Sequence, residues 1–296
     1  MSPLAVDSGM RLTEIERPFI VTSSSDRSIP QVIKTIKQAE YDGARAFEVH
    51  LPLVGFPDAD EIAQLTEATS QPLYATCRRG RFYELLGAEE LFDFTDEERV
   101  EMLVEAVEAG FDGVDFELDT FDPSPGPESF TTEAIAEYAT DPESEPAEIT
   151  DDPGAVERQR ETIDRIHATG GEVIVSCHTY THLEPAMAVA IGERIEHRGA
   201  DFAKIVGYDH DMRDLLDTLE AQLELNERVD VPYALMAIGT VSRIQRPISP
   251  MFGAAWVFGQ SELTPGGFHS WPLVDNAREV LRRVDWRTAY DPHHDN

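Results

Sequence analysis

Eight short apolar runs, each followed by a stretch of helical spacing, constrain this chain more than any other feature. The runs are Phe19–Ser23, Ala46–Leu51, Leu73–Arg78, Gly113–Leu118, Glu172–His178, Phe202–Gly207, Tyr233–Ile238 and Ala254–Gly259. At five to seven residues each they suit strands buried on both faces of a parallel sheet. Segments between them, such as 96–108, 156–168 and 211–225, place apolar residues at helical intervals. This alternation predicts an α/β fold, a single (β/α)8 barrel over 1–296, with an open doubly wound sheet as the competitor. No Gly-x-Gly-x-x-Gly loop follows an early strand, which counts against a dinucleotide cofactor.

One segment breaks the rhythm. Between Asp119 and Ala155 there are eleven acidic residues, no Lys or Arg, and six prolines. It reads as an acidic, Pro-rich insertion after the fourth strand, partly disordered or lid-like. The tail, 287–296, is expected to fray.

The formal charge is -33, from 57 acidic and 24 basic residues, and only three of the basic residues are lysines. Such a surface repels nucleic acid and anionic membranes, so neither is an expected partner. Dense like charge is tolerable where salt screens it, which suggests a salt-rich cytoplasm. Cys77 and Cys177 are too few for a disulfide framework and show no metal spacing. The first residues lack the basic and apolar regions of a signal peptide, and no stretch reaches membrane-span length, so a cytoplasmic protein is expected.

Side chains alternate along a strand, so parity sorts the polar residues by face. Glu48 pairs with His50, Thr76 with Arg78, Asp115 with Glu117, and Ser176 with His178, while Lys204 shares a face with Phe202 and Val206. If this is the barrel face, two or three carboxylates, two histidines, an arginine and a lysine collect near the C-terminal strand ends, where this fold builds its active sites. Cys77 and Cys177 then face the helices as packing residues. Lys204 lies in the apolar run Gly199–Gly207 and must find a partner there or lose its charge. A lysine made neutral beside a base is the nucleophile of Schiff-base chemistry; a salt-bridged interior lysine is the alternative.

These residues fall into a familiar series. Phe47-Glu48-Val49-His50-Leu51, Thr76-Cys77-Arg78 and Val114-Asp115-Phe116-Glu117-Leu118 are followed by Val175-Ser176-Cys177-His178 and Gly199-Ala200-Asp201-Phe202-Ala203-Lys204-Ile205. Met236-Ala237-Ile238-Gly239-Thr240-Val241-Ser242-Arg243 and Leu263-Thr264-Pro265-Gly266 complete it. The chain resembles the type I 3-dehydroquinate dehydratases over roughly residues 18–285. The resemblance implies a metal-free, cofactor-free lyase of the shikimate pathway acting on a small-molecule keto acid. Lys204 would form an imine with 3-dehydroquinate, and His178 would act as general base and then acid, giving 3-dehydroshikimate. Arg243 would grip the carboxylate, Arg78 would be a second anion or hydroxyl contact, and Glu48 with Asp115 or Glu117 would bind hydroxyls. Dimers are common in that family, so a homodimer is possible, although no exposed apolar stripe marks an interface.

The departures cluster around the substrate. His50 stands where the family has arginine. Phe82 occupies the place of the glutamate that orients the histidine, with Glu84 as a substitute if the loop is longer. Leu263 and Gly267 replace a serine and a glutamine of the lid. Each lost donor costs about 1–3 kcal/mol if nothing replaces it. Three alternatives follow: a Schiff-base dehydratase or aldolase for another keto sugar acid, a metal-dependent barrel using Glu48, Glu117, His50 and His178, and a non-catalytic relative. His182 and His210 are expected at the surface or in loops, His197 as structural, and His269 near the lid.

Overall fold

A computed structural model describes residues 10–88, 92–263 and 270–284. All eight expected strands form: β1 Phe19–Ser24, β2 Ala46–His50, β3 Leu73–Thr76, β4 Gly113–Glu117, β5 Glu172–His178, β6 Phe202–Asp209, β7 Tyr233–Gly239 and β8 Trp256–Phe258. The helices are α1 Ile29–Asp42, α2 Ala59–Thr66, α3 Asp96–Glu108, α4 Thr132–Thr140, α5 Pro153–Thr169, α6 Pro185–Arg198, α7 Met212–Arg228, α8 Ser242–Ile248 and α9 Val274–Arg283. Every ladder is parallel, in the order β7-β6-β5-β4-β3-β2-β1-β8. Ala255 N donates to Tyr233 O at 2.7 Å across the remaining seam. The sheet is a nearly closed (β/α)8 barrel, and no described helix is long and apolar enough to cross a membrane. The expectations for Gly267, His269 and the tail 287–296 fall outside the described residues.

Parity separates two cores. Outward residues such as Phe47, Val49, Cys77, Val114, Phe116, Val175, Cys177 and Ile205 pack against helical Ile36, Leu65, Val104, Ile166 and Ile191. Both cysteines are buried and free, as packing residues should be. Inward residues Phe19, Val21, Tyr74, Ile174, Phe202 and Trp256 fill the lower barrel, with Leu12 beneath them. Above this apolar plug polar inward positions gather at the C-terminal ends, while below it Glu172, at the start of β5, accepts from Leu12 N and Thr13 N. Each fully buried large apolar side chain contributes about 1.5–3 kcal/mol, so the plug is a stable floor for whatever lies above it.

The insertion after β4 is more ordered than its composition suggests. Thr131 caps α4 by accepting from Ala134 N at 3.2 Å. Further along, Ala147 N donates to Thr179 O at 3.1 Å, and Arg198 Nη2 donates to Thr150 O at 2.8 Å. The acidic residues sit mainly on its outer side, while Ala147 and Thr150 are buried. The polar backbone is thereby satisfied against β5 and α6, which explains how a Pro-rich stretch becomes part of the barrel wall.

Candidate active site

An open cavity with about 570 Å³ of empty space lies at the C-terminal end of the barrel. Among the described residues, Glu48, His50, Arg78, His178 and Lys204 all line it. Strand register brings Lys204 level with Ser176 across the β5–β6 ladder. Lys204 Nζ donates to Asp115 Oδ2 at 2.8 Å and lies 3.4 Å from Glu48 Oε1 and 4.9 Å above the Phe258 ring. Asp115 Oδ2 also accepts from Arg78 Nη2 at 2.8 Å, and Arg78 Nη1 reaches Ser176 Oγ at 2.6 Å. All four charged residues are at most 5% exposed, so each depends on the others for its charge. Burial alone would raise Glu48, but Lys204, then His50 and Arg78, outweigh it and hold the carboxyl down at about 2.

His50 is different. Its Nε2 lies 3.1 Å from Ser23 Oγ, and its ring packs against Phe82 and Tyr83. Burial brings its pKa down to about 4 despite Glu48, so it is neutral near pH 7. Where the resembled family has a cation, this wall offers a neutral ring.

His178 ends β5. Burial, then the nearby Arg78 and Lys204, push it well below the ordinary histidine range, so it stands as a neutral base. Its orienting partner is neither of the residues considered from sequence. Phe82 lies against its ring with centroids 6.1 Å apart, and Glu84 accepts from Arg81, Ser129 and Phe130 instead. Glu148, from the insertion, places Oε2 2.8 Å from His178 Nδ1 and accepts from His178 N at 2.7 Å. Burial, then Glu117, raises the Glu148 carboxyl to about 8.

Two expected contacts lie elsewhere. Glu117 has the inward parity of Asp115 but accepts from Arg99 Nη1 at 2.8 Å and from Arg79 N at 3.0 Å. At the strand tip, the buried Arg99 of α3 reaches over the rim and takes the carboxylate, so Glu117 does not line the cavity. The four-residue metal set of Glu48, His50, Glu117 and His178 is therefore not assembled. Arg243 lies on the exposed side of α8 and does not line the cavity either.

Arg246, one helical turn on, does. The chain enters α8 through Gly239 at φ 101, where a Cβ would lie 2.4 Å from Asp209 O, so only glycine fits that turn. Arg246 is 3% exposed; Nε donates to Ala237 O at 3.2 Å and Nη1 lies 3.3 Å from Met236 Sδ. It forms no ion pair among the described residues, and burial lowers it to about 9. A buried cation held by a carbonyl and a thioether, facing a cavity, is poised for an anion.

Among the described residues the rest of the wall is mainly apolar, with Phe82, Leu85, Val206, Met236, Ile238, Phe258 and Trp271, and the hydroxyl-bearing Ser23 and Tyr180 complete it. Leu263, expected in a lid, is 57% exposed. His182 lies half-buried in the loop between β5 and α6, 3.8, 3.9 and 3.4 Å from Asp209, Asp214 and Asp217. His197 Nδ1 lies 3.2 Å from Glu193 O within its own helix, and His210 packs against Tyr208.

A family model described as type I 3-dehydroquinase matches residues 20–283. A 3-dehydroquinate dehydratase of Klebsiella pneumoniae is 33% identical over 103 residues, 34% of this chain and 41% of that protein. One of Aromatoleum aromaticum is 30% identical over 120 residues, 39% of this chain and 45% of that protein. The aligned stretch thus spans less than half the length of these curated relatives. The crystal structure of 3-dehydroquinate dehydratase from Geobacillus kaustophilus superposes with a TM-score of 0.71 at 18% identity, covering 94% of this chain and 96% of that one. That from Enterococcus faecalis gives 0.66 at 19% identity, covering 93% and 98%.

Proposed function

The chain belongs to the type I 3-dehydroquinase family, and from that premise we propose that it dehydrates 3-dehydroquinate to 3-dehydroshikimate through an imine on Lys204. The observation that carries this reading is that Lys204 and His178 line one cavity, the lysine held by Asp115 and Glu48 and the histidine neutral.

Attack needs the free amine, so Lys204 passes a proton to the carboxylate of Asp115 or Glu48 as the ketone arrives. The nitrogen adds to the carbonyl carbon, and the oxygen takes back that proton and a second one from the nitrogen. It departs as water, and a protonated imine remains. His178 Nε2 takes a proton from the carbon beside the iminium, and that C–H pair becomes the enamine. The enamine expels the hydroxyl, which leaves as water with the proton returned from His178. Water then hydrolyses the imine, freeing Lys204 and the product. Arg246, rather than Arg243, binds the substrate carboxylate, replacing a poor set of partners with two charge-assisted hydrogen bonds. Arg78 acts mainly through Asp115, fixing the oxygen that holds Lys204.

A second reading keeps the imine and changes the substrate. It is favoured by the neutral His50 and the apolar face of Phe82, Leu85, Val206, Met236 and Ile238, which offer few donors to a polyhydroxylated ring. The test is to follow the enone absorbance of 3-dehydroshikimate in high salt. Steady formation from 3-dehydroquinate supports the first reading. Turnover only with other keto sugar acids supports the second.

A further inference from the structure

The segment between β4 and α5 delivers one carboxylate to the base of the reaction. Glu148 Oε2 accepts from His178 N at 2.7 Å and stands 2.8 Å from His178 Nδ1. With the backbone N–H also donating to it, Oε2 is best placed as an acceptor, any carboxyl proton sitting on the other oxygen. Nδ1 beside it then carries the ring proton, which leaves Nε2 with a bare lone pair.

The surrounding chain is built to hold this contact. Glu148 has φ 56, a left-handed conformation that is unfavourable for a non-glycine residue and persists only where neighbours enforce it. Those neighbours are present. Ala147 N donates to Thr179 O at 3.1 Å, Cys177 Sγ to Ala147 O at 3.5 Å, and Ile149 N to Ser124 Oγ at 3.2 Å. Tyr180, on the other side of His178, shares the same φ of 56. Two strained residues thus flank the base, and both are tied to the end of β5.

Resting on the assignment of His178 as the base, we propose that Glu148 is its positioning residue, supplied by the acidic insertion in place of a carboxylate from the β3 loop. It fixes the tautomer in which Nε2 accepts the substrate proton and steadies the imidazolium that follows. On this view the insertion is part of the catalytic apparatus. The charged and titratable groups around the pair are Arg78 and Arg79 from the end of β3, Asp115, Glu117 and Asp119 from β4 and its end, Lys204 from β6, and Cys177 and Tyr180 beside His178.

The test uses the full chain in high salt, labelled with 15N-histidine, with His178 assigned by its loss in His178→Gln. Without substrate, the wild type should show His178 protonated at Nδ1, and Glu148→Ala should shift the population toward the Nε2–H form. With 3-dehydroquinate, Glu148→Gln should still form the imine on Lys204. Its kcat should fall roughly a hundredfold with KM within about twofold. If Glu148→Ala does not fold, Glu148→Asp, which keeps a carboxyl but withdraws it by one methylene, should show the same tautomer shift. A tautomer that does not move in the folded variant overturns the proposal. Absence of turnover by the wild type defeats the dehydratase reading instead, and the spectrum still decides the role of Glu148.

Discussion

Lys204 and Asp115 meet at 2.8 Å through an oxygen that Arg78 also occupies at 2.8 Å. A carboxylate shared by two cations holds each less tightly than it would hold one. This arrangement keeps a buried lysine hydrogen-bonded yet displaceable, as a nucleophile that must leave its partner requires.

His178→Ala should separate the two halves of the reaction. Imine formation needs only Lys204, whereas proton removal needs the histidine. Mass spectrometry after borohydride reduction should find the Lys204 adduct in this variant, with turnover down roughly 10²- to 10⁴-fold. Near-normal turnover would remove His178 from the mechanism.

Arg246→Met and Arg243→Met should behave differently. Arg246 faces the cavity and Arg243 does not. Charge-assisted hydrogen bonds contribute about 1.5–3 kcal/mol, so Arg246→Met should raise KM for a carboxylate substrate by roughly 10- to 150-fold. Arg243→Met should leave KM within about threefold. The opposite pattern would return the carboxylate to Arg243.

Glu117→Gln should act on stability before activity. The substitution takes from Arg99, 1% exposed, one of its two carboxylates, leaving Asp96 at 2.8 Å as the other. Losing a buried charge-assisted partner in this way costs about 1.5–3 kcal/mol, which a denaturant midpoint in high salt would show. A midpoint equal to wild type with a raised KM would mean that Glu117 binds substrate.

His50 gives a pH-dependent stability with a defined sign. Its folded pKa of about 4 lies below the ordinary histidine value of 6.5. Between those values the unfolded chain binds the extra proton, so stability falls as pH drops through this window. Once pH is below both values, the full loss is about 3 kcal/mol. His50→Gln removes this contribution, so the loss of stability between pH 7 and pH 4.5 should be smaller in the variant. Parallel losses in the two proteins would show that His50 is not held neutral.

The barrel was legible because its signals are periodic: eight apolar runs recur, and alternation along each places Glu48, Arg78, His178 and Lys204 inward. Glu117 shows where parity stops helping. It shares the inward face of Asp115, but at the strand tip an arginine from the first turn of a neighbouring helix can claim it. Arg246 was hidden behind Arg243, because only the path of the turn at Gly239 decides which of two arginines one helical turn apart faces the cavity. Glu148 had no local signature, being one of eleven acidic residues between Asp119 and Ala155. Its contact with His178 depends on where the insertion folds back along β5, a long-range pairing that composition conceals.

The most direct measurement is borohydride reduction of the wild-type protein with 3-dehydroquinate in high salt, read by intact and peptide mass, with Lys204→Ala in parallel. The expected result is one reduced adduct on Lys204 together with 3-dehydroshikimate formation, and neither in the variant. An adduct elsewhere, or product formed by Lys204→Ala at near wild-type rate, would contradict the Schiff-base assignment.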